Sequence, residues 1–188
     1  MPAGLVRPPV IVYAHGGGWT FGTNDTHDGT MRTLAGEAKA AVLGVDYRLA
    51  PEHPFPAPLD DVMAAIAFVV SGGLGCEVDS SRIAVGGDSA APGACAPLHA
   101  DLAGLPPLHL SAAGLDPLLD DTILLSAKLA TAGVRHTVEI WPGVVHGFLR
   151  FARDLPAARA ALAAAGRDLK HLFDKAETAN PPLLGRKP

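Results

Sequence analysis

The chain has 188 residues and a mass of 19.3 kDa, which predicts one domain with a buried core of its own. Nearly half of the residues are hydrophobic and 18% are charged, a balance that excludes a disordered chain. The net charge of −4 supplies no basic face for phosphates and argues against a nucleic-acid partner.

Short β-rich runs alternate with longer helical stretches. Val10-Ile11-Val12-Tyr13 predicts a first strand, running into His15-Gly16-Gly17-Gly18. Asn24 to Lys39 reads as a helix with Asn24 or Thr26 as its N-cap. Ala41 to Val45 predicts a second buried strand, followed by a proline-rich loop from Ala50 to Pro58. Leu59 to Val70 carries helical apolar spacing at Val62, Ile66 and Val69, with Gly72-Gly73 just past its end. Arg82 to Gly86 predicts a third strand, Leu108 to Ala112 a fourth and His136 to Ile140 a fifth. Asp121 to Ala132 and Pro156 to Phe173 read as helices, the latter with proline in its first turn. Strands apolar on both faces and separated by helices imply a parallel sheet covered on both sides. The expected domain is the whole chain, with residues 1–8 and 177–188 frayed.

Three patterns carry chemistry. Gly87-Asp88-Ser89-Ala90-Ala91 follows the third strand, so Ser89 is placed on a tight turn at the carboxyl end of the sheet. The usual pattern is Gly-x-Ser-x-Gly, and Ala91 stands in the last position; the alternative is an ordinary strand-to-helix connection with a serine cap. His15-Gly16-Gly17-Gly18-Trp19 follows the first strand. Consecutive glycines let backbone amides approach a developing negative charge; the alternative is a flexible turn. Asp116 follows the fourth strand and His146 the fifth. A serine hydroxyl needs an imidazole to take its proton and a carboxylate to orient that imidazole. Ser, Asp, His in that chain order is the arrangement of α/β-hydrolases. Cys76 and Cys95 are too few for a disulfide framework and are read as inert. The remaining histidines show no metal-ligand spacing, and no phosphate or dinucleotide fingerprint is present. No cofactor or metal is therefore implied. No run of 18 apolar residues occurs and no signal peptide precedes the first strand, so the expectation is a cytoplasmic protein with no membrane contact.

Taken together these residues resemble the hormone-sensitive lipase-like, or bacterial family IV, esterases of the α/β-hydrolase superfamily. The resemblance rests on His15-Gly16-Gly17-Gly18-Trp19, on Asp46-Tyr47-Arg48-Leu49-Ala50-Pro51-Glu52-His53-Pro54, on Gly86-Gly87-Asp88-Ser89-Ala90, on Gly114-Leu115-Asp116-Pro117-Leu118 and on Pro142-Gly143-Val144-Val145-His146-Gly147-Phe148. It extends from Pro8 to about Lys175. It implies a truncated α/β-hydrolase fold, a mostly parallel sheet of about five strands with helices on both faces and no cap domain. It implies a carboxylesterase with Ser89 as nucleophile, His146 as base and Asp116 as orienting acid, with Asp120 or Asp121 as fallback. Oxyanion donors implied are the amides of Gly16, Gly17 and Ala90, while Asp88, Tyr47, Arg48 and Glu52 brace the surrounding loops.

The sequence departs from that family in three places. The glycine motif begins at residue 15, without the leading strands and first cap segment. Asp116 follows Ser89 by only 27 positions, where the family carries a further strand, its crossover and a second cap segment. Ala91-Pro92 replaces the expected Gly-Gly, and Pro92 and Pro97 make a poor crossover helix. Sliding the Asp-bearing strand into the missing place would displace Asp116 and His146 by about 4.8 Å. The expected outcomes are re-aimed loops, a sheet gap filled by another chain, or impaired activity. Unpaired edges predict a homo-oligomer, with or without exchanged elements. A missing cap predicts short acyl esters as small-molecule substrates. The alternative function is a catalytically impaired hydrolase-fold protein acting as a binding or assembly module.

Overall fold

A computed structural model describes residues 2, 4–89 and 100–179. The expectations for Ala90, for the crossover with Pro92 and Pro97, for Cys95 and for residues 180–188 lie outside the described residues.

Among the described residues, five strands and four α-helices follow one another: β1 (Pro9–Ala14), α1 (Asn24–Ala38), β2 (Ala41–Val45), α2 (Ala57–Val70), β3 (Asp79–Gly87), β4 (Leu108–Leu115), α3 (Leu119–Thr131), β5 (His136–Val145) and α4 (Pro156–Ala179). All strand pairings among the described residues are parallel. The strands form two ladders, β2-β1-β3 and β4-β5. The break falls between β3 and β4, the strands on either side of the shortened stretch. The Asp-bearing strand has therefore not slid across to pair with β3; the sheet keeps a gap.

Packing explains why these segments hold. In β1, Val10, Ile11 and Val12 are completely buried, as a central parallel strand requires. Val10 and Val12 face Val62 and Val69 of α2. Ile11 and Tyr13 face Leu34 and Ala38 of α1 and Phe173 of α4. The second ladder is packed by α4 through Ala113, Ala158, Ala161 and Leu162, and by α3 through Leu129, Leu108 and Leu110. Helix α4 thus touches both ladders and joins them across the gap.

Some boundaries differ from the sequence reading. Thr23, rather than Asn24 or Thr26, caps α1: its hydroxyl accepts from the Thr26 amide while the Thr26 hydroxyl accepts from the Thr23 amide, a reciprocal box that closes two free N–H groups. Helix α4 runs on to Ala179, so residues 177–179 are helical where fraying is expected. The N-terminal stretch is tied down at Pro8, whose carbonyl accepts from the Asp79 amide. Among the described residues, no helix is long and apolar enough to cross a membrane.

Candidate active site

The strand registers set the level of the site. In the first ladder Ala14 pairs with Gly87, so the glycine loop and Ser89 leave the sheet together. In the second ladder Leu115 pairs with Val145, so Asp116 and His146 also leave side by side. Both pairs emerge at the carboxyl ends of parallel strands, where open α/β sheets bind ligands.

Across the gap the side chains meet. Ser89 Oγ lies 3.0 Å from His146 Nε2, and His146 Nδ1 lies 2.7 Å from Asp116 Oδ2. A carboxylate facing Nδ1 holds the ring proton there, which leaves the Nε2 lone pair toward the hydroxyl. The turn after β4 fixes Asp116: its Oδ1 accepts from the Leu118 amide at 2.9 Å, and its carbonyl accepts from the Leu119 amide. The Asp116 side chain is 10% exposed, against 44% for His146, so a sheltered carboxylate orients an open imidazole. Asp116, not the fallback Asp120 or Asp121, is the carboxylate that meets His146.

Beneath this row lies a second polar cluster centred on Asp88, whose side chain is 4% exposed. Its Oδ1 accepts from the Tyr13 hydroxyl at 2.8 Å and from the Gly16 amide at 2.7 Å. His27 Nε2 lies 3.1 Å from Asp88 Oδ2, a close contact without the alignment of a hydrogen bond. His15 stacks between His27 and Tyr47, and the Tyr47 hydroxyl donates to the His15 carbonyl. Burial first, then the Asp88 charge, drives the Tyr13 phenol pKa far above its ordinary value. The same two causes in the same order push Tyr47 up to about 12. Both phenols therefore stay protonated and remain donors.

This cluster corrects one expectation. The Gly16 N–H is already donated to Asp88, so it is not an oxyanion donor. The amides of Gly17 and Gly18 have no acceptor among the described residues. Gly16 instead serves close packing: a Cβ there would lie 3.0 Å from Ser89 Cβ and 3.1 Å from Asp88 Oδ2. Gly17 has φ of +140°, and a Cβ there would strike the Phe21 carbonyl oxygen at 1.7 Å.

Other expected braces are placed as follows. Arg48 and Asp61 of α2 form a salt bridge at 2.8 Å, which ties the proline-rich loop to that helix, while Glu52 is exposed. His27 and Tyr13 escaped the sequence reading. The helical spacing of His27, Thr30 and Leu34, all buried on the inner stripe of α1, is the signal that could have found the first of them. Among the described residues, no group of three or more His, Cys, Asp and Glu gathers as a metal site.

A family profile described as the alpha/beta hydrolase fold matches residues 11–94 and 91–150. The chain is 34% identical to carboxylesterase NlhH of Mycobacterium tuberculosis, over 80% of this chain and 69% of that protein. That alignment runs over 221 positions, more than the 188 residues of this chain, so the relative carries residues with no counterpart here. The two matched stretches of the profile meet just after Ser89. Among solved structures, a hyperthermophilic esterase from the archaeon Pyrobaculum calidifontis superposes with a TM-score of 0.84 at 30% identity, over 89% of this chain and 78% of that one. The thermostable carboxylesterase EstE1 from a metagenomic library gives 0.84 at 29% identity, over 89% and 81%.

Proposed function

The chain belongs to the alpha/beta hydrolase fold family, in its hormone-sensitive lipase-like branch, and from that membership we propose that it hydrolyses carboxylic esters through Ser89, His146 and Asp116. The observation that carries the reading is the unbroken row Asp116–His146–Ser89, at 2.7 and 3.0 Å, assembled within one chain.

In the proposed reaction Ser89 Oγ attacks the ester carbonyl carbon while His146 Nε2 takes its proton. Negative charge grows on the carbonyl oxygen and is met by the amides of Gly17 and Gly18, with that of Ala90 as the sequence motif implies. Collapse breaks the bond to the alcohol oxygen, which leaves with the proton held on His146. Water then adds to the acyl-serine as His146 accepts its proton, and the carboxylic acid departs with Ser89 restored. Asp116 keeps the imidazole in the tautomer that both halves need and stabilises the imidazolium.

Short acyl groups, acetate to butyrate, are the proposed substrates of the open rim. His146 stands 44% exposed, and only 27 positions separate Ser89 from Asp116, too few for a further strand and a second cap segment. An acyl chain lying on that rim buries little surface.

An organophosphonate probe tests the reading: the protein should be labelled stoichiometrically, and Ser89→Ala should abolish labelling. Labelling that never appears, or that survives the substitution, favours the binding-module alternative. The Gly17→Ala variant should lower kcat by about 10²–10³-fold, since a Cβ there displaces the loop and its donors. Steady-state kinetics on p-nitrophenyl acetate reads the loss, and an unchanged kcat removes the loop from the mechanism.

A homo-oligomer is proposed as well. Val85 of β3, Leu115 of β4 and Val145 of β5 are each more than half exposed. Leu115 and Val145 are paired neighbours, and adjacent exposed apolar residues of this kind mark association surfaces. Light scattering coupled to size exclusion at micromolar concentration should give at least a dimer; a clean monomer defeats the idea.

A further inference from the structure

Among the described residues, no strand lies between the two ladders. A slot-like cavity of about 350 Å³ lies there, lined by Gly86 and Gly87 of β3, by His109 to Ala113 of β4, and by Ser89, Asp116 and His146 at its mouth. Its walls include Leu34 of α1, Leu110 of β4, Leu125 of α3, and Leu162, Ala165 and Leu169 of α4. The slot therefore runs from the Ser89 hydroxyl down through the sheet layer, between helices on both faces. It sits where the sequence is shortened, so its walls are a property of this chain's own gap.

We propose that this slot is a second acyl-binding site, which takes one unbranched acyl chain of about eight to ten carbons end-on from Ser89. The proposal rests on the esterase reading and extends its substrate class beyond what the rim handles. Dimensions set the chain length. The β4 wall from Ala113 to His109 spans four residue steps, or about 13 Å. An extended hydrocarbon advances ~1.3 Å per carbon, so that wall matches roughly ten carbons. At ~30 Å³ for each water-sized group, the cavity holds about a dozen. A branched or bulky acyl group does not fit a space one strand wide.

The far end sets the upper limit. His109 Nε2 and Ser111 Oγ are buried and have no hydrogen-bond partner among the described residues, and both residues line the cavity. His109 Nδ1 is 2.8 Å from Asp168 Oδ2, so its proton is held there and Nε2 presents a lone pair. A methyl terminus pressed against these two atoms gains nothing, because it cannot satisfy them. Chains longer than about ten carbons should therefore lose the advantage.

The test compares p-nitrophenyl acetate, butyrate, octanoate, decanoate and tetradecanoate in the wild-type protein and in Ala165→Phe, which fills the slot from α4 without touching Ser89, His146 or Asp116. Each buried methylene is worth up to about fourfold. The wild type should show kcat/KM for octanoate or decanoate at least tenfold above butyrate, with a fall at tetradecanoate. Ala165→Phe should remove that gain and leave acetate hydrolysis within twofold. Leu169→Phe is the second variant if the first does not fold, and Ala165→Ser is the same-site control. A calorimetric titration of decanoate into Ser89→Ala gives a readout independent of turnover: one saturable site, lost in the Ser89→Ala/Ala165→Phe double variant. A profile that falls steadily beyond butyrate, or decanoate binding indifferent to both phenylalanine variants, overturns the slot while the esterase reading stands. Slot-dependent decanoate binding without Ser89-dependent hydrolysis of any ester sinks the esterase reading and keeps the slot.

Discussion

Ser89→Ala should reduce kcat on p-nitrophenyl acetate by on the order of 10⁵–10⁶-fold while the protein stays folded. The serine hydroxyl sits at the end of a chain of contacts, 3.0 Å from His146 Nε2 and through it to Asp116. Removing it deletes the atom that forms the acyl bond, so no residual path through a covalent intermediate remains. His146→Ala should cost about as much, because an unassisted hydroxyl is a weak nucleophile near neutral pH. The Ser89→Ala/His146→Ala double variant should be no slower than the worse single one, as expected for groups that act as a unit. Asp116→Asn should cost about 10⁴-fold, since an amide at that position stabilises the wrong imidazole tautomer. The losses should fall on kcat more than on KM, because none of the three side chains is needed to hold the acyl or alcohol part. Independent, additive losses, or a Ser89→Ala protein that still turns over many equivalents, would contradict a shared mechanism.

Asp88→Ala should be the most destabilising single change near the site. The carboxylate accepts from Tyr13 and from the Gly16 amide and faces His27, with only 4% of its side chain exposed. Its removal strands a phenol, a backbone N–H and a histidine away from water. Breaking a buried cluster from one side costs about 3–5 kcal/mol. For a chain of this length each kcal/mol moves Tm by about 2–4 °C, so a fall of roughly 6–20 °C is expected. Asp88→Asn keeps an oxygen for Tyr13 and Gly16 but gives up the charge, and should fall between alanine and wild type. Activity should drop as well, because the Gly16 backbone runs so close to Ser89 that no Cβ fits between them without a shift. Thermal unfolding followed by circular dichroism reads the first effect. An Asp88→Ala protein as stable as wild type would mean that the cluster contributes little to holding the glycine loop.

The sequence alone was enough to identify the elements. Each strand is a compact apolar run and each helix carries its own periodicity, both local properties of the chain. It also singled out Ser89, Asp116 and His146, because each stands directly after a strand, and parallel strands place such positions along one edge of a sheet. His27 and Tyr13 were not legible in this way. Neither sits in a loop motif, and both matter only because α1 and β1 bring them onto Asp88. Gly16 was misread for the same reason: a glycine loop announces free amides, but only the fold decides which of them a neighbouring carboxylate has already claimed.

Chain order and residue type thus determined the five parallel strands, the family and the row of polar residues at the strand ends. Tertiary structure decided whether that row could assemble across a shortened sheet. Pairing energy is local to each ladder, so nothing in the sequence forbade β4 from closing onto β3. The packing of α4 against both ladders holds them apart instead. That long-range packing, with the Thr30 hydroxyl of α1 donating to the Leu149 carbonyl, keeps His146 within reach of Ser89 above the cavity.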